Sequence, residues 1–274
     1  MQVKNLISWI NAVAPFEYAE PWDNVGLQVG DPEARVTKVL FALDPSTSSV
    51  DEASRLGCEC LIVHHPLILE GIRSLNTFEY PQKLVVELIR RQINLIVAHT
   101  NLDASRLSIN QRIAEFLELE NVESLETNPK FVENQAYAGI GLSGKLRKPR
   151  SLGELSSGLC RYLGISSCQL AGNPDQIVNR IAVCSGSGGS LLKKIIAHGA
   201  DCFVTGEIKY HDSVWARESG VSVIALGHFH SEKSMMKWFA EDLRIWSLNI
   251  NDPVEVFWFE GEQDSMVPYF VEHS

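Results

Sequence analysis

The sequence predicts an α/β protein of two similar lobes, each a mainly parallel sheet flanked by helices. Three observations carry this. Short runs rich in Val, Ile and Leu alternate with stretches of helical periodicity along the whole chain. The order of strand, polar tip and helix recurs in both halves. Chemically capable residues collect where the apolar runs end, as they do beyond the carboxyl ends of parallel strands.

Val3, Leu6, Ile7 and Ile10 form one stripe of an opening helix, which Pro15 ends. Trp22–Gly30 then mixes turn residues with a short strand. Val36–Asp44, Cys58–Pro66 and Ile93–Asp103 predict three strands. Helices are expected near Ser46–Leu56 and after Pro81, where Leu84, Leu88 and Ile89 make an apolar face. A helix over Asn110–Leu119 comes next. The polar stretch Glu120–Lys130 marks the expected boundary, giving a first lobe over 1–125 and a second over 126–274. In the second, strands are expected at Ala136–Leu142, Arg180–Cys184, Ala200–Thr205 and Val221–Leu226, with a helix near Ser151–Leu163 and one after each of the last three strands. Asp252–Phe259 predicts a final strand, and the segment from about 250 to 274 can return to the first lobe.

The 274 residues are 45% hydrophobic and 21% charged, ordinary values for a globular chain. The balance of 34 acidic against 24 basic residues, a formal charge of −10, speaks against a nucleic-acid surface. The one basic cluster, Lys145, Arg147, Lys148 and Arg150, reads as a solvated turn or at most a local anion contact. Cys58 and Cys60 are too close for a zinc ribbon. With Cys160, Cys168, Cys184 and Cys202 they read as reduced thiols, which fits a cytoplasmic location. No apolar run approaches the ~20 residues of a membrane span.

Five of the eight histidines fall in three strand-end motifs. His64 and His65 point to opposite faces if their strand continues; if the chain bends before Pro66, both rings converge. Either arrangement suits one ring for each of two ions, whereas alone the pair would read as turn histidines. Asp103 leaves the third strand with His99 four residues before it. His228 and Glu232 lie on one face if a helix begins at Gly227. Imidazole and carboxylate together are ordinary ligands for Zn, Mn, Fe, Co or Ni. The expected site therefore takes two divalent metal ions per chain at the carboxyl ends of the strands, on His64, His65, Asp103, His228 and Glu232. These are too few to saturate two ions, so positions stay open for water and substrate.

Other residues are less determined. His230 is either a ligand or proton shuttle, or part of a cavity wall. His99 either supports a ligand or makes a structural hydrogen bond. Glu207 and His211, again four apart, are candidate catalytic acid/base residues or a helix-start carboxylate with a capped partner. Ser185–Ser190, which opens an expected helix, could receive an anion on its backbone N–H groups; a tight turn explains it equally well. His198 reads as a surface residue and His273 as part of the tail.

Five motifs, WDNVGLQVG (22–30), IVHHPL (62–67), AHTNLD (98–103), ADCFVTGEIKYHD (200–212) and GHFHSE (227–232), resemble the Nif-three-like family, also called GTP cyclohydrolase I type 2. The resemblance implies two related α/β lobes, a dinuclear metal centre between them and a toroidal homohexamer. Its ligands fall on the same five residues, and it leaves position 230 open. It implies a metal-dependent hydrolase acting on a nucleotide or phosphorylated heterocycle, such as the imidazole-ring carbon of GTP, although no guanine-reading signature is evident. The competing expectation is a non-catalytic metal-binding hexameric scaffold or interaction protein.

Overall fold

The computed structural model describes residues 1–127, 139–267 and 269. In chain order the elements are α1 (Val3–Val13), β1 (Gly26–Val29), β2 (Lys38–Ala42), α2 (Thr47–Leu56), β3 (Cys60–Val63), α3 (Gln82–Arg90), β4 (Asn94–Val97), α4 (Thr100–Asp103), α5 (Ile109–Phe116) and β5 (Leu119–Glu126). They continue with β6 (Ile140–Ser151), α6 (Leu152–Leu163), β7 (Gln169–Ala171), β8 (Ile177–Ser187), α7 (Leu192–Ala197), β9 (Cys202–Glu207), α8 (Tyr210–Glu218), β10 (Ser222–Ala225), α9 (His228–Asn249) and β11 (Glu255–Trp258). Local chemistry sets several ends. Ser46 caps α2 by accepting the Ser49 N–H, and Gly57 closes it in the left-handed region at φ 70°. A reciprocal Ser151–Glu154 capping box opens α6.

The expected α/β architecture, two sheets flanked by helices, is the one the chain adopts. The first sheet runs β1-β4-β3-β2-β11, parallel except for β1. The second runs β5-β6-β8-β9-β10-β7 and is mixed: only β8–β9 and β9–β10 are parallel. Register brings the strand ends level. Ala42 pairs with Val63, and Val63 with Val97, so Asp44, His64–His65 and His99 emerge side by side. In the second sheet Thr205 stands opposite both Cys184 and Ala225, which aligns Gly186, Glu207 and His228 at the corresponding edge.

One apolar cluster joins the sheets. It contains Phe41, Ile62 and Ile96 from the first and Ile181, Val183 and Val204 from the second. Between them α9 buries Met235, Met236, Phe239 and Leu243. No helix among the described residues is long and apolar enough to cross a membrane, and all six cysteines are free.

Several expectations need correction. Glu120–Glu126 is not a polar joint but most of edge strand β5, so the second sheet starts before the expected 125/126 division. Lys145–Arg150 is not a turn: it belongs to β6, where the ladder with β8 is irregular between Lys145 and Arg150. Two of its four cations are engaged locally, Arg147 with Glu120 at 3.2 Å and Arg150 with the Leu117 carbonyl at 2.9 Å. Asp103 lies in a helical turn rather than at a strand end, because the ladder of β4 stops at Val97. Residues 128–130 and 136–138 of two expected segments, and His273, lie outside the described residues.

Candidate metal centre

The strand β3 ends at Val63 and the chain bends. The N–H groups of His64 and His65 both donate to the Leu43 carbonyl, at 3.1 and 3.0 Å. Both rings therefore converge, with centroids 5.0 Å apart. Helix α9 begins at His228, so its first turn carries His228 and Glu232 on one face, with His228 Nε2 3.2 Å from Glu232 Oε2. His65 Nε2 lies 3.1 Å from the same oxygen and 3.4 Å from His228 Nε2. The other Glu232 oxygen is 3.9 Å from His64 Nε2, and Asp103 Oδ2 is 3.7 Å from that nitrogen. All five expected ligand residues thus come together, from both sheets.

The second ring nitrogens decide what this cluster can hold. His64 Nδ1 donates to the Ala98 carbonyl at 2.9 Å and His65 Nδ1 to Asp44 at 2.7 Å, while His228 Nδ1 faces Glu207 at 3.4 Å. With each Nδ1 committed, the Nε2 atoms are turned to one another and to two carboxylates, and a ring presents a lone pair there only when it is neutral. Acceptors facing acceptors require positive charge between them. His64 Nε2 and Asp103 Oδ1 are buried with no hydrogen-bond partner. Such a donor set fits a divalent cation.

The titration directions show the same demand for positive charge met by protons on His65 and His228, with His64 neutral. Burial pushes the His64 pKa down to about 3, so its ring is neutral. Burial works the same way at His65, but hydrogen bonds to Asp44 and Glu232 outweigh it and bring that ring up to about 10. Glu232 chiefly raises His228 to about 9, against some burial. Burial, with Glu232 nearby, holds the Asp103 carboxyl well above its usual range. Burial would lift Glu232 too, yet His228 and His65 hold it below that range. The cluster draws positive charge to its centre.

His99 comes closer than the sequence required. His64, His65 and His99 form one group whose ligand atoms are mutually within 4.8 Å; His65, His228 and Glu232 form a second. The His99 Nδ1 donates to Asp23 at 3.0 Å. Asp23, Asp44 and the Ala98 carbonyl are the partners that sequence reasoning did not assign. The available signal was that each ligating imidazole needs an acceptor for its other nitrogen. His230 turns away and pairs with Asp264 at 3.5 Å. Glu207 reaches the cluster only through His228. His211 does not join it: Glu207 ends β9, α8 starts at Tyr210, and the four-residue spacing never lies on one helix. His211 is exposed, edge-on to the Tyr210 ring.

One glycine of the run after Cys184 has a steric cause. Gly186 has φ +59°, and a Cβ there would stand 2.3 Å from Glu232 Oε1. The chain continues as a 3-10 turn over Gly189–Leu191 and a six-residue helix.

Fold and cluster together define an α/β protein with a histidine–carboxylate site able to hold metal. A family model described as Duf34/NIF3 (NGG1p interacting factor 3) matches residues 1–265, and the chain belongs to that family. A Clostridium perfringens protein named GTP cyclohydrolase 1 type 2 homolog is 32% identical over 232 residues, 85% of this chain and 87% of that protein. A Streptomyces coelicolor protein of the same name is 34% identical over 234 residues, 84% and 81% of the two chains. The solved structure of a Staphylococcus aureus hypothetical protein matches with TM-score 0.88 and 29% identity, covering 98% of this chain and 99% of that one.

Proposed function

We propose that the chain is a metal-dependent hydrolase with two divalent ions, acting on a small nucleotide or related phosphorylated heterocycle. The observation that carries this is the meeting of His64, His65, Asp103, His228 and Glu232 with unpartnered buried acceptors at His64 and Asp103. Glu232 directs one oxygen toward His64 and the other toward His65 and His228, so each oxygen would be available to a different ion. His64 and Asp103 would hold one ion, and His65 and His228 the other, with His99 adjoining the first group. Divalent ions held here would supply Lewis acidity and would bring the pKa of water to about 7.

The chain's own groups supply the rest. Asp44, Glu207 and the Ala98 carbonyl fix the imidazoles so that their lone pairs point inward. Glu207 is more than half exposed at the mouth and can hold or release a proton at His228 Nδ1. His211 has no contact that gives it this role. The nucleotide preference draws on the name carried by the clostridial and streptomycete relatives.

The test is element analysis of the purified protein, then turnover of nucleotides with Zn, Mn, Fe, Co or Ni. Asp103→Asn should lose at least the ~10–100-fold in metal affinity that even the outer partners of ligands carry, and turnover with it. Turnover that survives complete metal removal would sink the hydrolase reading. Metal binding without turnover of any nucleotide would favour the scaffold instead.

A further inference from the structure

We infer that residues 260–264 form a strap that positions the His65 half of the cluster, with Glu262 as its positioning residue; this rests on the metal reading above. Glu262 is 7% exposed, although it stands in irregular chain after β11. Its two oxygens accept the consecutive backbone N–H groups of Leu43 and Asp44, each at 2.8 Å. Those residues are the support on which the paired histidines rest. The Leu43 carbonyl takes the N–H of His64 and of His65, and the Asp44 carboxylate takes His65 Nδ1.

The strap is tied at its other end to α9. Lys233, the residue after Glu232, donates to the carbonyls of Glu260 and Glu262 at 2.8 and 2.7 Å. Its ammonium lies over the rings of Phe229 and Trp258, at 5.2 and 5.4 Å from their centroids. His230, left without a ligand role by the cluster, faces Asp264. A closed circuit results: Glu232 to His65, His65 to Asp44, Asp44 to Glu262, Glu262 to Lys233, and Lys233 back to Glu232 along the helix. Ligands from distant segments meet only if their supports are held together, and this circuit joins the end of β2 to the first turns of α9. His64 shares only the Leu43 carbonyl with it, and Asp103 lies outside the Asp44 branch.

Titration of the full chain with Co2+, monitored by its visible ligand-field absorption, tests this. In Glu262→Gln, which keeps volume but offers only one acceptor oxygen, one bound Co2+ should weaken by about tenfold or more with shifted bands. The other Co2+ should keep its affinity and spectrum. Lys233→Met should act in the same direction, and the exposed Glu241→Gln should match wild type. Circular dichroism confirms folding of each variant. Unchanged affinities and bands in folded Glu262→Gln would overturn the strap, as would equal weakening of both ions without a spectral shift. Wild-type protein that binds no Co2+ would overturn the metal reading and the strap together.

Discussion

An imidazole buried beside carboxylates can offer a lone pair only if its remaining nitrogen is occupied, and that requirement identifies the residues around the cluster. Asp23 does this for His99. Burial by itself would raise the Asp23 carboxyl, but hydrogen bonds from His99 and Thr100 outweigh it and hold the pKa at about 2, against 3.8 when unperturbed. A depressed carboxylate stabilises the fold above its unfolded pKa, and the contribution is lost as pH falls through the folded value. Asp23→Asn should therefore cost about 2 kcal/mol near pH 7. The difference from wild type should persist down to about pH 4 and close toward pH 2. Urea denaturation across that range reads it, and a gap independent of pH would contradict the assignment. Gly186 belongs at this scale as well, since any side chain there would displace Glu232.

Helix α9 does more than carry two candidate ligands. Phe239 stacks on Trp9 at 4.8 Å and meets Phe41 edge-on at 5.4 Å, which fixes the helix against α1 and β2. Phe239→Ala should cost about 3–5 kcal/mol by leaving a cavity in the shared core; a loss under about 1 kcal/mol in chemical denaturation would refute that placement. The buried elements were legible in the sequence, because β2, β3, β4, β9 and β10 are largely apolar and α1 and α6 show a clear stripe. The margins were not. β5 is a charged strand at one edge of its sheet, and β7, at the other edge, spans three residues. Edge strands need bury little, so polarity hides them. The residue types of the candidate cluster were legible because metal-binding chemistry would restrict residue choice. The helical turn bearing Asp103 was not, since a four-residue element leaves no periodicity to read.

At the scale of the whole molecule, candidate ligands from both sheets meet above one continuous core, so filling the cluster should stabilise the entire chain rather than one edge. An ion present at a hundred times its dissociation constant contributes about 2.7 kcal/mol. Two such ions should raise Tm by roughly 5–10 °C over protein stripped with a chelator. An identical Tm before and after chelation, with metal loss verified, would exclude that coupling. The Leu43 carbonyl, on which both paired histidines lean, creates a different kind of dependence. Every amino acid supplies that oxygen, so scanning position 43 with alanine removes packing but leaves the prop in place. The orientation of the two rings is written in main-chain chemistry, where conventional mutagenesis has no letter to change. Replacing either histidine's amide by an ester, through chemical ligation, deletes the donor and spares the imidazole.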